Sequence, residues 1–170
     1  MARAGLARLT LALGIAAAAY LSLAQLAQYL TWERHDALVD TIHAGQIDAR
    51  DLARLQRLFD PPGITDCHVL HRRSLTVLQL YAIQLRAQQI GANPFLPSDD
   101  AQLTAMRQSA LRHLTRTLAC APMDGDMWLS LALISRSLGQ DPDLTARYLA
   151  QSARYAPHEG WISGRRDSLF

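Results

Sequence analysis

The sequence contains no lysine. All 17 basic side chains are arginine, set against 15 carboxylates for a formal charge of +2. The arginines are scattered, so no basic stripe able to follow a nucleic-acid backbone is present and no nucleic-acid partner is expected. The missing lysine reads as coding bias and not as a binding device. Cysteine is scarce, with two residues, and no C-x-x-C, H-E-x-x-H or c-type haem motif occurs. Neither a glycine-rich phosphate loop nor a G-x-S-x-G nucleophile elbow is found. The chain is therefore expected not to be an enzyme and to hold no cofactor or metal. Its carboxylates fall mostly at helix starts, where capping accounts for them. Glycine and proline are ordinary in number, and no segment is of low complexity.

What is present begins with the N-terminus. Leu9 to Leu26 is an almost uncharged Ala/Leu run, interrupted by Thr10, Ser22 and Gln25. It approaches the roughly 20 apolar residues that a membrane-spanning helix needs. Arg3 and Arg8 precede it, which by the positive-inside rule holds the N-terminus in the cytoplasm. Tyr29 and Trp32 follow at a height suited to the far interface. A span is expected over residues 9–30. The competing reading is a cleaved signal peptide, with Ser22-Leu23-Ala24 supplying small residues at −3 and −1. No cysteine lies there, so a lipoprotein anchor is excluded. Both readings place residues 33–170 outside the cytoplasm. The expected location is a bacterial inner membrane, crossed once, with the C-terminal part in the periplasm.

The remainder reads as helices separated by clear breakers. The helical pattern continues from Ala27 to Ala44 through Leu30, Ala37, Leu38 and Ile42, and Gly45 ends it. Leu52, Leu55, Leu58 and Phe59 mark a short second helix, ended by Asp60-Pro61-Pro62-Gly63. These two are expected to pair as a membrane-proximal hairpin over 31–63. A third helix starts near Thr65 or Asp66 and runs to Ile90, with Leu70, Val77, Leu78, Tyr81 and Leu85 inward. Gly91-Ala92-Asn93-Pro94 breaks it. Ser98 is the expected N-cap of a fourth helix that runs to Ala121. Pro122 then stops that helix, and Asp124, Gly125 and Asp126 supply turn and cap chemistry. Trp128, Leu131, Ala132 and Leu138 recur at helical spacing. Gly139 suits a left-handed helix end. Asp141 and Pro142 open the next helix, whose inner face carries Leu144, Tyr148 and Leu149 and which Pro157 ends. Gly160 to Phe170 is expected to form an amphipathic cap through Trp161 and Ile162. The fold class is all-α: a transmembrane helix (1–30), the hairpin 31–63, and a helical domain (64–170) of stacked antiparallel hairpins.

Cys67 opens the third helix and Cys120 closes the fourth. If those helices are antiparallel, Cys67 lies about 24 residues before the turn and Cys120 about 22 after it, a mismatch of roughly 3 Å. An exported chain with an even cysteine count favours a disulfide. Cys67, His68 and His71 are close in sequence, and Cys67 and His71, four apart on one helix face, would with Cys120 also make a three-ligand zinc site, but no paired ligand motif supports it. His35, His43, His113 and His158 read as surface or edge residues. Trp128 reads as a core tryptophan.

Trp128, Leu131, Ala132, Gly139, Leu149 and Pro157 resemble the tetratricopeptide repeat, which has a period of about 34 residues and a closing proline. Ala110, Leu114 and Pro122 look like the second half of a preceding repeat, whereas Ser135, Thr145 and Ser152 depart from the family pattern. The resemblance implies a groove that takes protein partners, carried over to Asp126, Leu129, Leu133, Arg136 and Ser137; Leu129 and Leu133 could equally pack against the preceding hairpin. The runs Cys120–Trp128 and Ala156–Trp161 further resemble small membrane-anchored helical-repeat proteins associated with bacterial exopolysaccharide synthesis and export. That implies a scaffold in an envelope assembly. The alternative is a periplasmic small-ligand or carbohydrate-binding protein.

Overall fold

The computed structural model describes residues 2–59 and 67–167. Among the described residues, seven α-helices and one 3-10 turn make up the regular structure: α1 Ala2–His43, the turn Ala49–Asp51, α2 Leu52–Gln56, α3 Val69–Gln89, α4 Ala101–Cys120, α5 Gly125–Ser137, α6 Pro142–Tyr155 and α7 Gly160–Asp167. Among the described residues there is no strand. The breaker at 60–63, the start expected at Thr65 or Asp66, and the final residues through Phe170 lie outside the described residues.

Local chemistry sets the helix ends. Gly45, Gly91 and Gly139 each have φ between 64° and 67°. Each closes its helix with the same pair of bonds. After α5, for example, the Gly139 N–H donates to Arg136 O and the Gln140 N–H to Ser135 O. This 6→1 and 5→2 pattern satisfies carbonyls that have no partner inside the helix, and only glycine reaches the required backbone without strain. At the other ends, Asp124 accepts from the Met127 N–H and Asp141 from the Asp143 N–H. The expected cap Ser98 is displaced. Asp100 caps α4 by accepting from the Leu103 N–H, while Ser98 Oγ accepts from the Asp100 N–H one step earlier. The carboxylate prevails because it also takes Arg86, at 2.6 Å. That pair closes the α3–α4 turn and holds the Asp100 carboxyl below its ordinary range.

The helices pack in chain order. α4 runs antiparallel to α3, since Arg86–Asp100 joins their near ends and a disulfide between Cys67 and Cys120 joins their far ends, with Cα atoms 5.3 Å apart. α5 and α6 are likewise antiparallel. Ser135 and Thr145 hydroxyls meet at one end, and at the other a Cβ on Gly125 would lie 2.5 Å from Ala156 Cβ. α5 is the central helix of the C-terminal half, packed against α4, α6 and α7. α2 finds its principal partner in α3, as does α1, so the expected α1–α2 hairpin is replaced by joint docking on α3.

One core runs through α2, α3, α4 and α5, including Leu55, Leu78, Ile83, Leu103, Leu114 and Ile134. Segment 31–59 contributes Ile47, Leu52, Leu55 and Phe59 to it, so it shares this core with the later helices. Side chains of α3 and α4 also secure that segment by its backbone. Tyr81 donates to Ile47 O at 3.0 Å, Gln79 to Leu58 O at 3.0 Å, and Ser109 to Phe59 O. A second cluster, Leu129, Ala132, Leu133, Leu149, Ala156 and Ile162, joins α5, α6 and α7.

Arg107 is fully buried. Its guanidinium donates to Ser137 O (3.1 Å), Asn93 O (3.1 Å) and Pro94 O (2.9 Å). One side chain on α4 thus holds both the α3–α4 loop and the C-terminal end of α5. Burial depresses its pKa, and the Asp100 charge opposes that shift.

α1 is the one helix among the described residues long and apolar enough to cross a membrane. Leu11, Leu13, Ile15, Leu21, Leu23 and Leu26 are all exposed along it.

Candidate functional site

Because α4 reverses direction between them, α3 and α5 run the same way. Arg73 near the start of α3 reaches Asp124, the cap of α5, at 3.2 Å. α7 lies next along α5, and Arg165 reaches Asp126 at 3.9 Å. These three helices border a cleft of about 290 Å³. Val77, Leu80 and Tyr81 of α3 and Met127 of α5 supply apolar wall, and Phe95 of the α3–α4 loop closes one side. Thr76, Gln84 and Ser130 add polar positions, and Trp161 and Arg165 form the α7 margin.

Asp126 is the electrostatic centre of this cleft. Its side chain is only 16% exposed, and Oδ1 receives no hydrogen bond. Burial pushes its carboxyl above the ordinary range; Arg165 pulls it back, and Asp124 adds to the rise. Oδ1 thus has Arg165 as an ion-pair partner at 3.9 Å but accepts no hydrogen bond, so it favours a ligand that brings an N–H or O–H to it. Trp161 is 54% exposed and offers a flat apolar face nearby. The cleft therefore suits a ligand with one polar donor and one apolar group.

Of the five residues expected to line a groove, Asp126 is in this cleft. Leu129 and Leu133 are buried in the α5–α6–α7 cluster. Ser137 is also buried, its hydroxyl donating to Ile134 O. Leu129 and Leu133 take the alternative of packing, though against α6 and α7 and not the preceding hairpin, and Ser137 is enclosed as well because α5 is covered on several sides. Arg136 is half-buried and borders a different cavity, at the other end of α5, with Pro97, Gln140, Thr145 and Leu149. Thr76, Gln84, Ser130 and Arg165 were missed. Asp126 and Ser130 are four apart on α5, and Thr76, Leu80 and Gln84 repeat at four on α3, so a face was present in the sequence. Choosing it required knowing which helix covers which.

Two aromatic assignments change. Trp128 is half-buried at the core rim, where Nε1 donates to Pro122 O at 2.8 Å and the ring lies 5.8 Å from Tyr148. It staples the α4–α5 turn. In the terminal cap the roles separate: Ile162 is buried while Trp161 is exposed. His35 and His113, expected at the surface, are buried. His35 stacks on His71 at 4.9 Å and 10°, and His113 Nε2 lies 3.0 Å from Arg72 O. Burial lowers the pKa of both. Trp32 lies over His68 with ring centroids 3.8 Å apart.

No family model, curated protein or solved structure matches the chain.

Proposed function

We propose that this chain is a non-catalytic scaffold of a bacterial envelope assembly. It is held in the inner membrane by α1 and offers the α3–α5–α7 cleft to protein partners in the periplasm. The observation that carries the reading is that cleft, a surface of mixed apolar and polar side chains in which Asp126 Oδ1 accepts no hydrogen bond. The exposed apolar length of α1 supports the anchor, and the Cys67–Cys120 pair fits an oxidising compartment.

The tetratricopeptide-like reading of the stack rests on a local repetition. Ala121-Pro122 and Ala156-Pro157 follow α4 and α6. The two alanines share nearly the same backbone, φ −133° and ψ 69° against φ −135° and ψ 60°. Gly125 and Gly160 then open α5 and α7. α3 and α4, at 21 and 20 residues, are longer than α5 and α6, at 13 and 14, so the repetition is regular from α5 onward only. The weaker resemblance to exopolysaccharide-associated proteins names the assembly: polymer synthesis or export.

A second reading, carbohydrate binding, is favoured by one observation: Trp161 and Asp126 border the same cleft, an aromatic face beside a hydroxyl acceptor. Mild crosslinking and pull-down from envelopes tests both, with the wild-type chain beside Asp126→Arg and Trp161→Ala. Recovery of polysaccharide-export proteins by the wild type, lost in both variants, supports the scaffold. Bound sugar without protein partners supports the second reading. Partner recovery unaffected by either variant removes the cleft from the account.

A further inference from the structure

The anchoring helix and the folded domain are one continuous element, and this decides which end of the bundle meets the bilayer. α1 continues unbroken from Ala2 to His43. Beyond the apolar stretch it lies along α3 in parallel. Trp32 meets His68, His35 meets His71, and Asp36 accepts from the Ser74 hydroxyl at 2.5 Å. Just past α1, Ile47 O accepts from Tyr81. The start of α3 is therefore level with Trp32, about 3 Å along the helix axis from Leu30. The antiparallel packing brings the end of α4, the 121–124 turn and the start of α5 to the same end.

The side chains there have the composition of a bilayer-facing surface. Leu70, in the first turn of α3, is 67% exposed, and Met123 in the turn after α4 is 72% exposed. Outside α1 they are the two most exposed large hydrophobics among the described residues. Asp124 and Asp126, also at this end, are turned inward, their side chains 11% and 16% exposed and paired with Arg73 and Arg165. Arg116 and Arg154 lie within about a turn and a half of the same end and are exposed, as is Glu159.

We propose that this end is a second membrane contact. Leu70 and Met123 insert into the headgroup region of the leaflet from which α1 emerges, with arginines among the lipid phosphates, so that the domain stands on the bilayer with its helices upright. The proposal rests on α1 being a retained membrane span. An unbroken helix leaves no slack for the domain to lift away, and Trp and Tyr near its exit suit the same interfacial layer.

The test uses the full-length chain, with its disulfide confirmed, in nanodiscs of phosphatidylethanolamine and phosphatidylglycerol. A dansyl amino acid replaces Ile15, Leu70, Leu96 or Met123, one at a time, and quenching by brominated lipid is compared with quenching by aqueous iodide. Ile15 reports on the anchor itself, and Leu96, exposed in the α3–α4 loop at the opposite end, reports on solvent. The proposal expects Ile15 to be strongly quenched by lipid, Leu70 and Met123 to be quenched by lipid several-fold more than Leu96, and iodide to show the reverse order. If Ile15 is quenched while Leu70 and Met123 behave like Leu96, the second contact is refuted and the anchor stands. If Ile15 is not quenched, the anchor reading fails and the proposal fails with it.

Discussion

Replacing Arg107 tests the packing argument most directly. The side chain is fully buried and serves three backbone carbonyls, two in the α3–α4 loop and one at the end of α5. Removing it leaves those acceptors without their donor and opens a cavity between the two segments. Leaving a buried acceptor without its donor costs about 1–3 kcal/mol, so losing the three bonds should cost on the order of 3 kcal/mol. For a domain of this size that corresponds to a fall in melting temperature of roughly 10 °C. Arg107→Met, which keeps most of the volume and none of the donors, is the sharper variant. Arg107→Lys should lose less, because one ammonium keeps the charge and lacks the planar fork. Thermal melts followed by circular dichroism supply the magnitude. Hydrogen exchange supplies the location: amides of the 92–96 loop should lose protection before those of α3, since Phe95 packs against the α5–α6–α7 cluster only while the loop is held. If Arg107→Met melts with the wild type, desolvation of the guanidinium cancels its bonds, and the clamp contributes nothing to stability.

Three further outcomes are expected. Cys67→Ala or Cys120→Ala should destabilise by up to about 4 kcal/mol, from opening a cross-link across 53 residues; chemical denaturation of oxidised and reduced wild type should give the same difference, and free thiols in protein from the envelope would contradict the pairing. Gly125→Ala should cost about 1–3 kcal/mol, because its new methyl would lie 2.5 Å from Ala156 Cβ and 3.0 Å from Ala156 N; an unchanged melt would mean that α5 and α6 separate easily. His35 and His113 have folded pKa values below the ordinary 6.5, so the unfolded chain binds more protons in that window. Their contribution is complete above about pH 6.5 and declines as pH falls toward the depressed values. A stability profile between pH 5 and 8 should show this loss and should flatten in His35→Gln/His113→Gln.

Turns and helix ends were legible because each depends on a few adjacent residues. Gly139, Asp124 and Asp141 adopt the roles their types suggest, and the cysteine pairing followed from helix lengths. Ser98 was misassigned because the choice between it and Asp100 turns on Arg86, fourteen residues away. Arg107 was overlooked although it stands four after Leu103 and three before Ala110, on the inner stripe of α4. A charged residue there is naturally read as facing water, and the carbonyls that satisfy it come from two distant segments. The same reasoning placed His35 and His113 outside. The groove residues failed for a different reason: the pattern along α5 reveals a helix with almost no outer face, but not which neighbour covers each side.

The continuity of α1 has a rotational consequence. If α1 is the proposed membrane span, the lack of a flexible joint between apolar stretch and domain ties the azimuth of the cleft about the membrane normal to residue count. One residue inserted between Leu26 and Leu30 would turn the domain by about 100° relative to the anchor, whereas seven would return it to within about 20° of its original bearing. Under the proposed scaffold reading, a partner fixed in the same membrane would meet the cleft at some insertion lengths and miss it at others, and the dependence on length would follow the period of a helix.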